Sequence, residues 1–475
     1  MARWFSLTAT DSSTGAGAFA DVKVAQQLNS QCEVIVLAIT AQNSQGAQAA
    51  FALPVSVVEA QWCSALADGL PKIIRLGWLP FHAELLHWLL HILENIPVPV
   101  IWDPVLGASQ GQALSQDWQD ENTRELFLKL LARADLITPN FSEACLLTGC
   151  TKVEEACETL QKMGAKNVLI KGVPHAQGIG DYFCFSAKSR LAQNTLPGES
   201  LLPAFYLVQP PVAQSAHGTG CCFIAHVASF LTQGRTLYDA LFLAAKNTRL
   251  KRLNKTTAEP EDWPRVFAAN DSALSFKTLP KNLGLYGLVD NLAHLKRLLA
   301  LGVGSLQWRV KNPSVQHKAQ TQEAIALCRA ASVLLFINDD WALALELGAD
   351  GVHLGQEDLA QADLAIIARA GLYLGVSTHS EWEFARALAL TPSYIALGPV
   401  FEPLSKKLRY APLGVAQVAH YVQSFPRLYL TCIGGITEHN AAFVWATGIG
   451  SVAVVTALAN DEQLEERVQG LKGPN

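Results

Sequence analysis

Asp339 and Asp358 each follow an apolar run, at 333–337 and 350–354, and a short helical stretch at 341–347 separates the two runs. Strand, helix and strand in that order bring both acids to one rim, because parallel α/β sheets gather their functional groups at the strand C-termini. Asn338, Gln356 and Glu357 arrive at the same edge. Two carboxylates from successive strand ends suit a hard, oxygen-ligated ion such as Mg2+, and through it a phosphorylated substrate. The competing account makes each Asp only a helix cap. Nearby, Gln307, Arg309 and Lys311 alternate with apolar residues, so their side chains point one way from a strand end. Arg and Lys there can clamp a diphosphate.

A second cluster lies at 216–222, Ala-His-Gly-Thr-Gly-Cys-Cys, just before a long apolar stretch. Small residues opening a helix expose backbone N–H groups to an anion. Cys221 would sit in the first helical turn, where the thiolate is favoured and the pKa is expected to fall. An earlier turn around Gly15 and Gly17 offers a weaker version of the same arrangement. Gln42, at a strand exit, carries both donor and acceptor, as an aminopyrimidine edge requires, and a glutamine that only satisfies its own loop accounts for it equally well. Asn140 and Glu143 are spaced either to order water around a metal–nucleotide or to form a capping box. Lys171 places a cation at another strand tip. His87 and His91 share a helix face but lack the carboxylate of a zinc motif.

Several elements must position these groups. The chain has 475 residues, half of them hydrophobic and 16% charged, which exceeds one ordinary core and predicts two or three domains. A net charge of −5 gives no electrostatic footprint for nucleic acid, and no apolar run is long enough to span a bilayer. Ten scattered cysteines without a C-x-x-C pair read as reduced thiols of a cytoplasmic enzyme. Residues 1–253 alternate strands and helices, 254–281 is polar with prolines and reads as a linker whose Trp263, Val266, Phe267 and Phe276 pack rather than dangle, and 282–475 forms the last domain. Within the latter, strands are expected at 284–289, 305–308, 333–337, 351–353, 373–376, 394–397, 428–432 and 450–454. Eight strand–helix units make a TIM (β/α)8 barrel the economical fold. Its last two strands run into Gly434-Gly435 and Val454-Val455-Thr456, where such barrels seat phosphate.

Two resemblances follow. Thr14-Gly-Ala-Gly with Asp21, Ala41-Gln-Asn, Asp103-Pro-Val, Thr138-Pro-Asn-x-x-Glu143 and His217-Gly-Thr-Gly-Cys221 stand in the order of the hydroxymethylpyrimidine/phosphomethylpyrimidine kinases, a ribokinase-like family of thiamine biosynthesis. The resemblance implies a three-layer α/β domain with Asp21 and Gln42 at the pyrimidine. It further implies Gly218, Thr219 and Gly220 as an anion hole, Cys221 as catalytic base, and Asn140, Glu143 and Lys171 near Mg–ATP. The second half resembles thiamine-phosphate synthase through Gln307-x-Arg-x-Lys311, Asn338-Asp-Asp340, His353-Leu-Gly-Gln-Glu-Asp358, Gly375-Val-Ser-Thr-His379 and Gly398-Pro-Val-Phe401. That resemblance implies Asp339 and Asp358 as Mg2+ ligands. Gln307, Arg309, Lys311, Asn338, Ser377 and Lys406 would hold the pyrimidine diphosphate, and Ser405, Gly435, Val455 and Thr456 the thiazole phosphate. The expected partners are small molecules alone, and a homo-oligomer is compatible with the sequence. An alternative keeps the first half as a non-catalytic metabolite-binding module, since Ala9, Ser109 and Val173 depart from the kinase pattern.

Overall fold

In the computed structural model, which describes residues 3–43, 46–106, 120–195, 202–212, 219–268, 274–311, 314–402, 411–459 and 463–473, the chain divides into units 1–270 and 271–475. The first unit is built on ten strands: β1 (Arg3–Asp11), β2 (Gln31–Asn43), β3 (Gly46–Ala52), β4 (Ile74–Leu76), β5 (Val100–Trp102), β6 (Leu136–Ile137), β7 (Asn167–His175), β8 (Gly178–Cys184), β9 (Ala204–Gln209) and β10 (Arg265–Ala268). They form one sheet in the order β10-β9-β8-β7-β6-β5-β4-β1-β2-β3. Pairing is parallel from β2 through β7, while β3 and β8 to β10 add antiparallel edges. The central strands are buried and mostly apolar, as a sheet covered on both faces requires. Helices Gly17–Gln27 and Thr219–Thr232 pack together over β1, and the second also reaches β4.

The boundary between the units, at 270/271, falls within the stretch 254–281, and the described residues of that stretch pack into one unit or the other. Pro260 opens a single 3-10 turn at Pro260–Asp262, and Asp262 pairs with Arg249 at 3.2 Å and Lys255 at 2.7 Å. Trp263, Val266 and Phe267 are buried, and β10 extends the sheet against β9. On the other side Phe276 and Leu279 are buried in the second unit. There the Lys277 carbonyl accepts from Ser393 Oγ at 2.5 Å. The apolar residues pack on either side of the junction that the polar composition suggested.

The second unit is a closed barrel of eight parallel strands in sequence order: β11 (Gly284–Val289), β12 (Ser305–Trp308), β13 (Leu334–Asn338), β14 (Gly351–Leu354), β15 (Tyr373–Thr378), β16 (Tyr394–Leu397), β17 (Leu430–Ile433) and β18 (Ser451–Val454). The last strand pairs with the first, Gly284 against Ser451. Leu279, Leu283, Tyr286, Leu288, Phe336, Tyr373 and Tyr394 fill the interior. Gly375 makes room for Tyr394, since a Cβ there would lie 2.2 Å from that ring.

Candidate functional sites

In the first unit, Asp11 ends β1 and turns its carboxylate onto the following loop. It accepts from the backbone N–H groups of Ser13, Gly15 and Ala16 at 2.8, 3.1 and 2.8 Å. Those loop donors are therefore held by the protein's own carboxylate, not left open for an anion. Thr14 and Gly17 both have positive φ, and a Cβ on Gly17 would meet the Ala9 carbonyl at 2.2 Å, so only glycine fits. Gln42 stands beside this loop, its backbone N–H donating to Ser12 Oγ at 2.9 Å.

The start of helix Thr219–Thr232 meets a pair of strand-end charges. Lys171 Nζ lies 2.7 Å from Asp103 Oδ1, which also accepts from Thr138 Oγ1 at 3.2 Å. A Cβ at Gly220 would sit 3.3 Å from that ammonium and 3.7 Å from Asp103 Oδ2, so glycine permits the approach. A helix N-terminus over a lysine favours a bound anion. Thr219 and Gly220 belong to this first turn, whereas Gly218 lies outside the described residues.

Cys221 departs from expectation. Burial raises its thiol pKa; the Arg75 charge and the Gly17 N–H oppose that rise, and Asp103 and Asp21 add to it. The helix terminus alone does not set the balance. Arg75 was not anticipated as a site residue. It lies in β4 with its side chain wholly buried, 3.2 Å from the equally buried Asp21. Burial works against the guanidinium charge, but Asp21, Cys221 and Asp103 outweigh it and raise its pKa. Asp21, in turn, is pushed up to about 6 by burial despite Arg75 and a 2.5 Å bond from Ser6 Oγ. Asp21, expected at the substrate, lies on the helix Gly17–Gln27 with its carboxylate buried against Arg75.

Asn140 and Glu143 form the capping box, each side chain accepting from the other's backbone N–H at 2.8 Å. Burial and the neighbouring Asp103 push the Glu143 carboxyl up to about 7, against Lys171 and the backbone donors of Asn140 and Leu106. The capping role leaves Glu143 next to the Asp103–Lys171 pair.

In the barrel, Asn338 closes β13 and Asp339 follows with φ of 64°, its N–H on the His353 carbonyl at 2.9 Å. The Asn338 amide contacts the Asp339 carboxylate. Burial and the charge of the neighbouring Asp358 push Asp339 up to about 6. Gly355 lets Asp358 fold back, since a Cβ there would be 3.2 Å from its Oδ2.

Gln307 is buried on β12, and Arg309 follows that strand with its N–H on Val289 at 2.7 Å. Regular strand ends at Trp308, so the alternation expected through Lys311 stops short, and Lys311 is exposed. Ser377 is on β15, where His353 Nε2 lies 2.7 Å from its Oγ. His353 Nδ1 meets Tyr394 Oη at 2.7 Å, Tyr394 meets Tyr286 at 2.9 Å, and Gln307 Nε2 donates to Tyr286 at 3.1 Å. Burial, with Arg309 and His379 nearby, pulls the His353 pKa down to about 4. Gly434 and Gly435 both have positive φ, and side chains there would collide with Pro399 and Phe401. Val455 is exposed and Thr456 starts a 3-10 turn after β18. Ser405 and Lys406 lie outside the described residues.

Sequence reasoning missed Arg75, Tyr286 and Tyr394 as site residues. The tyrosines have the look of ordinary core, and only their alternation on inward strand positions marks them. No group of three or more His, Cys, Asp or Glu among the described residues could hold a metal ion, and no helix there is long and apolar enough to cross a membrane.

A parallel-sheet unit with a lysine-backed helix terminus, followed by a phosphate-suited (β/α)8 barrel with paired acids, defines a two-unit enzyme of phosphorylated substrates. Residues 11–251 match phosphomethylpyrimidine kinase and residues 286–458 match thiamine monophosphate synthase. The chain belongs to both families and is a bifunctional enzyme of thiamine biosynthesis. It is 49% identical over 191 residues to a thiamine-phosphate synthase of Yersinia pestis (strain Pestoides F), covering 40% of this chain and 89% of that protein. With the thiamine-phosphate synthase of Salmonella choleraesuis (strain SC-B67) it is 49% identical over 184 residues, 38% of this chain and 87% of the relative. Among solved structures, a pyridoxal kinase from Staphylococcus aureus in complex with AMP-PCP aligns with TM-score 0.43 and 26% identity, over 52% of this chain and 87% of that one.

Proposed function

We propose that the first unit uses ATP to phosphorylate hydroxymethylpyrimidine and then its monophosphate. In the same reading the barrel joins the resulting diphosphate to thiazole phosphate. The kinase assignment of residues rests on the Asp103–Lys171 pair under the helix that carries Gly220 and Cys221. Lys171 and the helix N-terminus would hold the transferred phosphoryl group, with Gln42 toward the pyrimidine and Cys221 as base. Asn140 and Glu143 would stand on the nucleotide side.

The paired acids Asp339 and Asp358 carry the barrel reading. Two neighbouring carboxyls, one pushed up to about 6 by burial and by the charge of the other, form a donor set that a hard cation would relieve. Mg2+ binds by one or two carboxylates with substrate phosphates and water completing its shell, and these residues fit that pattern. When bound, Mg2+ would supply charge stabilisation to the departing diphosphate. Arg309 and Lys311, with Lys406 by resemblance, would take the remaining charge, and Gln307, Asn338 and Ser377 would orient the pyrimidine diphosphate. Its carbon–oxygen bond breaks first, and the thiazole nitrogen attacks the pyrimidine-methyl cation. Gly435, Val455 and Thr456, with Ser405 by resemblance, would hold the thiazole phosphate. No protein nucleophile is needed, because catalysis is electrostatic.

One assay tests both halves. Purified protein is given ATP, Mg2+, hydroxymethylpyrimidine and thiazole phosphate, and each phosphorylated intermediate is followed. Formation of pyrimidine mono- and diphosphate, then thiamine phosphate, is the expected course. Thiamine phosphate formed only from supplied pyrimidine diphosphate would confine the activity to the barrel.

A further inference from the structure

Four buried groups, Tyr286, Tyr394, His353 and Gln307, connect to the half-buried Ser377 in one unbroken line of contacts of 2.7–3.1 Å. With Ser377 the five residues come from five different strands, β11, β12, β14, β15 and β16. The line crosses the barrel interior and joins two residues assigned above to the pyrimidine diphosphate. Tyr394 reaches its place only because Gly375 has no side chain.

We infer that this line is a hydrogen-bond wire of one polarity, set by the Gln307 amide, which makes Ser377 an obligatory donor to the ligand. Gln307 Nε2 can only donate, so the Tyr286 oxygen accepts from it. Tyr286 then gives its single proton to Tyr394, and Tyr394 gives its own to His353 Nδ1. A neutral imidazole that accepts at Nδ1 carries its proton on Nε2, and that N–H donates to Ser377 Oγ. The Ser377 hydroxyl, already accepting, is left to donate outward. Its proton therefore meets an acceptor, such as a diphosphate oxygen. At the other end a flipped Gln307 amide would accept from Tyr286 and reverse every bond, so the observed orientation sets the polarity. The Gln307 carbonyl is thereby fixed as an acceptor for the exocyclic amine of an aminopyrimidine. Tyr286, Tyr394 and His353 are positioning residues: they fix the donor and acceptor pattern without touching the reacting atoms.

The inference deepens the barrel reading and rests on it only for the ligand. The imidazole tautomer can be read in ligand-free protein, so failure of the wire and failure of the synthase assignment are distinguishable. The full chain is labelled with 15N-histidine, and the His353 signal is identified by its loss in His353→Gln. Wild type is expected to show the proton on Nε2 and a bare Nδ1; the opposite tautomer overturns the inference. Gln307→Glu replaces the donor by a carboxylate, which reverses every bond and moves the imidazole proton to Nδ1. An unchanged tautomer in that variant also overturns it. If Gln307→Glu does not fold, Gln307→Met supplies the second arm, since removal of the only fixed donor should give both tautomers. A single Nε2–H form in Gln307→Met would show that the amide does not set the direction.

Discussion

At the scale of single residues, each half turns on a buried or crowded carboxylate. Asp339 is held up to about 6 by burial and the facing Asp358. Replacing it by Asn removes half of the proposed cation site and should lower synthase turnover on the order of 100-fold or more, the scale of a lost charge stabiliser. Phosphorylation of the pyrimidine should be untouched. Protons compete with the cation for a carboxylate, so the Mg2+ concentration for half-maximal synthase rate should rise as pH falls below about 6 in wild type. Titrating Mg2+ at several pH values checks this, and wild-type turnover in Asp339→Asn would remove the assignment. In the other unit Arg75→Met leaves the carboxylate of Asp21 buried without its cation, a change worth roughly 3–5 kcal/mol. The thermal midpoint of the first unit should drop markedly, and Asp21→Asn in the same chain should restore much of it. Independent, additive losses in the double variant would mean that the two side chains do not act as a pair.

At the scale of elements, the capping box at Asn140 and Glu143 gives a pH signature. Glu143 is raised from 4.5 to about 7 in the folded chain, so the native state binds more protons than the unfolded state across that window. The stability tied to this group is complete below about 4.5 and is lost as pH rises through about 7. Denaturant unfolding of the first unit followed across that range should show a slope that Glu143→Gln flattens; equal slopes would sink the proposal. Much of this architecture could be read from the sequence. The barrel strands were visible because parallel strands buried on both faces are short apolar runs that end abruptly in polar residues, as at Ile337-Asn338 and Leu354-Gly355. Strand β4 was not visible, because its three residues place Arg75 between Ile74 and Leu76. A charge in so short a run argues against burial until Asp21, distant in sequence, arrives beside it. The expected fall of the Cys221 pKa was misread for the same reason: its helix position can be read locally, but its desolvation and its charged neighbours come from β4, the end of β5 and the first helix.

At the scale of the whole molecule, the two units suggest where the chain can be divided, and the polar stretch between 254 and 281 is the test. A cut that follows composition would end one piece at 253 and start the other at 282. The first piece would lose β10, which pairs with β9, and the buried Trp263. The second would lose Leu279 from the barrel interior, the buried Phe276, and the bond from Ser393 to the Lys277 carbonyl. Removing one large core side chain costs about 2–5 kcal/mol, and 1 kcal/mol shifts the midpoint of a unit this size by roughly 2–4 °C. The barrel piece 271–475 should therefore melt roughly 10 °C above the piece 282–475. The piece 1–270 should likewise outlast 1–253. Calorimetry of the four pieces, each beside the full chain, makes the comparison. The longer barrel piece should also keep the full synthase rate when supplied with pyrimidine diphosphate, because Gln307, Asp339, Asp358 and Ser377 all lie within 271–475. Equal midpoints for the long and short barrel pieces would mean that residues 274–281 add nothing to the barrel's stability, despite the burial of Phe276 and Leu279.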